Sequence, residues 1–347
     1  MTAPQSRLSR PAGESATPFQ PNAPLAHPTT ASDRAAMGYP ESFVEAYLPD
    51  HRRLAERFSA SCEQELLTVM ADPSRNLPDR LGAATRLNEL GDPRITTHRP
   101  EMIDIPGDAV SVGLELDQVD DVMSHFGDLF LERSWIEKEC PRHTRTLAPY
   151  RIARYPVTNR EYRDFLLDSG HDALPTSWPL GRYPAERGNH PVYTVTAASA
   201  AAYARWLSRQ TGRGFRLPEE AEWEHAAAGP DALTFPWGET FDPDLANTVE
   251  SGLMTTVPVG VYPMGRSPFG LDDMAGNVEE YVAGHYAPYP GGAKIADDLA
   301  LVWPAGYAVA RGGGFSRFRD LARCRRRHGL YPRPLYAIGF RLAEDMP

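Results

Sequence analysis

A chain of 347 residues with a net charge of −10 has the length for one large domain or two small ones, and its acidic balance argues against nucleic acid or an anionic membrane as the main partner. With 28 glycines and 33 prolines it is punctuated too often for long helices, and no apolar run nears the roughly 18–20 residues that a membrane span requires. The 3 cysteines, Cys62, Cys140 and Cys324, form no C-x-x-C pair and are too sparse for a disulfide framework.

Residues 1–38 lack apolar periodicity and are expected to be a disordered arm. They also lack the apolar stretch of a signal peptide, so a cytoplasmic address is expected. Residues 39–95 are expected to form a helical lead-in. Phe43, Tyr47, Leu54, Phe58 and Leu66 fall at the spacing of amphipathic helices broken near Pro49. A further helix is expected from Asp79 to Leu90, with Gly91 where a C-cap would fall. After Met102 the rhythm changes to short strands and turns. MIDIPGDAVSVG and APYRIARYPVTNREYRDFLLDSG are the next two landmarks, the second with a helix N-cap expected near Thr158 or Asn159. In HPVYTVTAASAAAYARWLSRQTG, Ala200, Tyr203, Trp206 and Leu207 share one helix face. In GFRLPEEAEWEHAAAG a helix is expected to begin at Pro218.

These landmarks, with FGLDDMAGNVEEY and the closing RGGGF…IGFRL, occur in the order found in formylglycine-generating enzymes, also called sulfatase-modifying-factor domains. The resemblance covers roughly residues 100–345, and RLNELGDPR around Leu87 to Arg94 is similar to the helical lead-in before many such domains. It implies an α+β fold, an elaborated C-type-lectin-like domain with much irregular chain over residues 96–347, preceded by a short helical segment.

The resemblance also implies metal sites. Asp273 and Glu280 would give carboxylate oxygens, and Gly276 and Val278 carbonyl oxygens, to a structural calcium, a cation that prefers six to eight hard oxygen ligands. The same residues could simply open a helix. A weaker second calcium would use Asn247, Thr248 and Leu253, with Ser251 where an acid is expected.

The reacting groove departs from the family. Two cysteines that bind copper are expected just after RGG, whereas Phe315 to Leu321 contain none. Glu279 replaces a tryptophan, Gly314 a serine, His285 an aromatic residue and His225 a tyrosine. Copper and the conversion of cysteine to formylglycine are therefore not expected. Glu279, His225 and His285 are the catalytic candidates. A histidine-held iron or other transition metal stays open, with His125, His143, His225, His285 and His328 as candidate ligands.

The tail is rich in arginine, which binds carboxylate and phosphate bidentately. Arg317, Arg326 and Gly314 are the substrate-binding candidates, although arginines can equally pair with the chain's 46 acids. Two functions follow. One is a divergent oxidoreductase or tailoring enzyme acting on a small anionic or peptidyl substrate. The other is a non-catalytic, lectin-like or immunity-type module that binds a ligand or a partner protein.

Overall fold

The computed structural model describes residue 27, residues 29–42 and residues 50–346. Most of the expected arm, with Phe43 and Tyr47, lies outside the described residues. Residues 29–38, expected to be without structure, instead contain a short helix, α1 (Asp33–Ala36), whose Ala36 is buried. Three further helices follow: α2 (His51–Glu56), α3 (Glu63–Ala71) and α4 (Leu77–Leu90). Asn76 caps α4 by accepting from the Asp79 amide, and Gly91 ends it with φ 99°, a conformation that glycine adopts without a Cβ clash. Leu66, Met70, Leu81 and Leu87 of these helices bury against Leu253, Val257 and Val261.

Strands β1 (Met102–Ile105) and β2 (Ala109–Val112) flank the expected turn but enter different sheets. Helices α5 (Val119–His125) and α6 (Arg133–Glu137) lead to β3 (His143–Thr146), which pairs with β2, and β4 (Tyr150–Ala153), which pairs with β1. The two principal helices are α7 (Asn159–Ser169) and α8 (Ala197–Thr211). Thr158 and Glu161 form a capping box on α7, and the expected α8 face is buried. Tyr162, Phe165, Tyr203 and Trp206 from these helices pack around Phe340. Next come β5 (Phe215–Arg216) and α9 (Glu220–Ala228). Helix α9 starts two residues after Pro218, because Glu219 takes the N-cap and Glu222 bonds back to its amide at 2.7 Å.

The last segment holds β6 (Glu279–His285), α10 (Asp298–Val302), β7 (Ala308–Arg311), β8 (His328–Gly329), β9 (Ile338–Phe340) and β10 (Ala343–Asp345). One sheet has the order β1-β4-β10-β5 and another β8-β7-β6-β9; in the second, β6 and β9 run parallel. Among the described residues, no helix is long and apolar enough to cross a membrane.

Candidate active site

The β8-β7-β6-β9 sheet carries the site. Side chains alternate faces along a strand, so Glu279 and Tyr281 of β6 share one face. Tyr281 is in register with Ala310 of β7, and Ala310 with His328 of β8. This places Glu279 and His328 near each other across the sheet, and His328 Nδ1 lies 2.6 Å from Glu279 Oε2. After β7 the chain turns at Gly312 and Gly313, whose φ values of 95° and 65° suit glycine. The Phe315 amide donates to the Asn277 carbonyl and the Val249 amide to the Arg317 carbonyl, which fixes the loop beside β6. Arg317 Nε then reaches Glu279 Oε1 at 3.4 Å, and its guanidinium lies 3.8 Å from the Tyr336 ring centroid. The same ring stacks on His328, centroids 5.3 Å apart.

Glu279 is 1% exposed and Arg317 5% exposed. Burial opposes ionisation of Glu279, but His328 and Arg317 outweigh it and hold the carboxyl below its usual range. Burial lowers the His328 pKa, Glu279 offsets part of this, and Arg317 and Arg326 lower it further. With Nδ1–H donating to the Glu279 carboxylate, Nε2 is the ring nitrogen left to exchange a proton. Arg317 Nη2 is buried and has no hydrogen-bond acceptor in the protein, a costly state for a charged donor. The Arg317 side chain lines a pocket together with Leu129, Trp135, Phe318, Arg326 and His328.

The sequence candidates are only partly brought together. Arg317 and Arg326 share the pocket, but Arg326 spends Nη1 on the carbonyls of Trp135 and Arg327 and Nε on Asp320. Gly314 does not line it: a Cβ there would sit 3.3 Å from Val278 Cα and 3.4 Å from Glu279 N, so the position packs against the β6 backbone. The catalytic trio does not converge. His225 is buried on α9 with its ring edge-on to Phe269 at 5.1 Å, and burial lowers its pKa. His285 is exposed at the end of β6, in a separate cleft shared with His143 and Arg145. The five candidate histidines are likewise scattered. Among the described residues, no three His, Cys, Asp or Glu side chains form a group that could hold a metal ion. Burial pushes the Cys324 thiol up to about 12 and the Cys140 thiol up to about 11, whereas Cys62 is exposed. Tyr336 and the 129–135 wall were missed in the sequence. Their place in the site depends on packing between distant segments.

The calcium candidates separate into two groups. Both Glu280 oxygens accept from Arg341, at 2.6 and 2.7 Å, and Trp223 Nε1 donates to one of them at 2.8 Å. Asp273 is only partly buried and accepts from the Gly260 amide at 2.8 Å. Burial and the charges of Asp272 and Glu280 push its carboxyl up to about 7. An acid so raised fits a bound hard cation, which would relieve both terms. Gly276 holds φ 78° against the Asn247 backbone, and Val278 is buried next to it. In the second set, Ser251 Oγ lies 3.0 Å from Asn247 Oδ1 and 2.7 Å from the Thr248 carbonyl, so a hydroxyl serves oxygens that a cation would need, and the Leu253 amide donates to the same hydroxyl.

Most of the basic tail proves structural. Arg311 pairs with Glu220 and Glu224, Arg323 with Glu139, and Arg327 with Glu220.

Short antiparallel pairs, two principal helices and long irregular connections around a sheet-borne pocket define a C-type-lectin-like domain of the formylglycine-generating-enzyme type. The chain belongs to the sulfatase-modifying factor enzyme 1-like domain family, whose model matches residues 89–346, beginning inside α4. Serine/threonine-protein kinase Pkn1 of Chlamydia trachomatis serovar L2 is 36% identical over 226 residues, covering 60% of this chain and 35% of that protein. Hercynine oxygenase of Mycolicibacterium smegmatis is 30% identical over 256 residues, covering 63% of this chain and 58% of that protein. The chain thus spans between 35% and 58% of the length of these two curated relatives. The structure of PvdO from Pseudomonas aeruginosa superposes with a TM-score of 0.55 at 27% identity, covering 72% of this chain and 96% of that one.

Proposed function

We propose that this chain is a divergent, oxidoreductase-like tailoring enzyme that takes a small anionic or peptidyl substrate at Arg317 and does not convert cysteine to formylglycine. The observation that carries this reading is the buried, unpaired Arg317 Nη2 beside the Glu279–His328 pair. An anionic group would satisfy Nη2 with a charge-assisted bond. Glu279 orients His328 through Nδ1, so Nε2 can take a proton from a substrate held in the pocket and return it. A relative named hercynine oxygenase supports the oxidoreductase-like part of this reading. On the same reading the helices of residues 39–95 are a lead-in that braces the domain 96–347, and Asp273 anchors one structural calcium.

The test is ligand binding by calorimetry with benzoate and phenyl phosphate as probes. Wild type should bind one of them, and Arg317→Ala should lose tenfold or more in affinity, since a hydrogen bond to a charged group is worth about 1.5–3 kcal/mol. Glu279→Gln should keep the binding and lose turnover. Equal binding by wild type and Arg317→Ala would sink the proposal.

A further inference from the structure

The segment before the helical lead-in lies against the pocket. Arg333 Nη2 donates to the Ala31 carbonyl at 2.7 Å and to Asp33 Oδ1 at 2.6 Å. Ala36 is 5% exposed and lines the pocket together with Arg317. Met37 packs against both the Tyr162–Phe340 core and the cluster containing Phe318. At the other end, the His27 ring is edge-on to Phe130 at 5.0 Å and to Trp135 at 5.5 Å, and both of these rings line the pocket.

The segment is also closed on itself. Arg34 donates to the carbonyls of Pro40 and Ser42 at 2.9 and 3.0 Å, and Ser32 caps α1 while bonding to Glu41. Its two attachments are to different walls. Phe130 and Trp135 belong to the segment containing α6, whereas Arg333 lies in the β8–β9 connection, three residues before Tyr336. Three residues beyond Asp33, Ala36 is buried and lines the pocket. The lining combines apolar and aromatic side chains with the carboxylates of Asp298 and Asp320, already engaged by Trp135 and Arg326. The unpaired nitrogen of Arg317 is then the cationic group left for a ligand with one anionic group on a compact apolar body.

We propose that residues 29–38 form a strap that closes the groove, so that the site admits a small aryl or alkyl carboxylate or phosphate and excludes a peptide that would have to run through it. This rests on the reading of the pocket as an anion site and decides between its small-molecule and peptidyl forms. Among the described residues the strap is held by the partly exposed Arg333–Asp33 pair and modest apolar contacts, with His27 3.8 Å from Glu132 at its start. Such a strap can open for ligand exchange and reclose. Asp33 is 45% exposed as a side chain, so altering it should leave the fold intact.

The experiment uses the full chain as wild type, Asp33→Arg, and the double variant Asp33→Arg with Arg333→Asp. Hydrogen exchange over residues 29–38 is measured first, without ligand. Asp33→Arg should speed it several-fold, and the charge-swapped double variant should recover much of the protection. Benzoate, phenyl phosphate and an acidic octapeptide blocked at both ends are then titrated. Wild type should bind a small anion and not the peptide, whereas Asp33→Arg should weaken small-anion binding about three- to tenfold and admit the peptide. Unchanged exchange in Asp33→Arg, or wild type binding the blocked peptide as well as the small anions, would overturn the strap. Failure of every probe on all three proteins would instead sink the anion-site reading, and the exchange measurement would still decide the strap.

Discussion

Replacing Asp273 by asparagine separates a cation site from an ordinary turn, and asparagine suits the left-handed φ of 57° at that position. Without a cation the Asp273 carboxyl sits at about 7, against an ordinary value of 3.8. Between those two values the folded chain keeps a proton that the unfolded chain has lost. Stability contributed by this group therefore falls as pH rises from about 4 to 7 and is flat above. Some three pK units would correspond to about 4 kcal/mol. The side chain is only partly buried, so solvent screening reduces this to about 1–2 kcal/mol, or about 2–8 °C in a domain of this size. Saturating calcium should hold the carboxylate ionised and abolish the decline, so the gain from calcium over chelator should grow between pH 5 and 7. Glu161, pushed up to about 7 by burial, adds a slope of the same sign. The difference between wild type and Asp273→Asn isolates Asp273. Thermal melts at pH 5, 6 and 7, in chelator and in calcium, provide the assay. If the two proteins lose the same stability in chelator, or gain the same in calcium, Asp273 neither titrates in this window nor holds the ion.

Truncating Glu280 to alanine should cost about 3–5 kcal/mol in denaturant unfolding, because Arg341, fully buried, would lose both carboxylate bonds. In Glu279→Gln, loss of the carboxylate should lower the His328 pKa further, as read by NMR titration of its ring; an upward shift would refute the assigned pairing. Ser251→Asp should return the missing charge beside Asn247 and Thr248 and make the calcium-dependent rise in melting temperature larger than that of wild type.

The sequence announced the scaffold clearly because its landmarks are local. The Thr158 cap, the α8 face and the Gly91 stop are each specified within a few residues. The site was less legible. Glu279 and Arg317 could be named from their places in two motifs, and the distance between them is set by the β6 register and the RGG turn. The Glu279–His328 bond needs three strands in register, and Tyr336 and Trp135 join through packing across about 200 residues of chain. His225 and His285 stand at family positions, yet α9 buries one and the end of β6 exposes the other. Residues 29–38 looked disordered because their own apolar content is low; their order comes from Arg333, some 300 residues away.

Strand β10 lies between β4 and β5 in its sheet, with Ala343 in register with Ile152 on one side and Arg216 on the other. During synthesis β1 and β4 can meet early, but β5 has no neighbour in that sheet until residue 345 has left the ribosome. The aromatic centre waits as well, since Phe340 is its keystone. The nascent chain must therefore carry Tyr162, Tyr203 and Trp206 without their final partner until residue 340 has emerged, so this core closes late and through long-range contacts. Deleting residues 343–345 would remove the strand that joins β4 to β5 in the middle of the sheet.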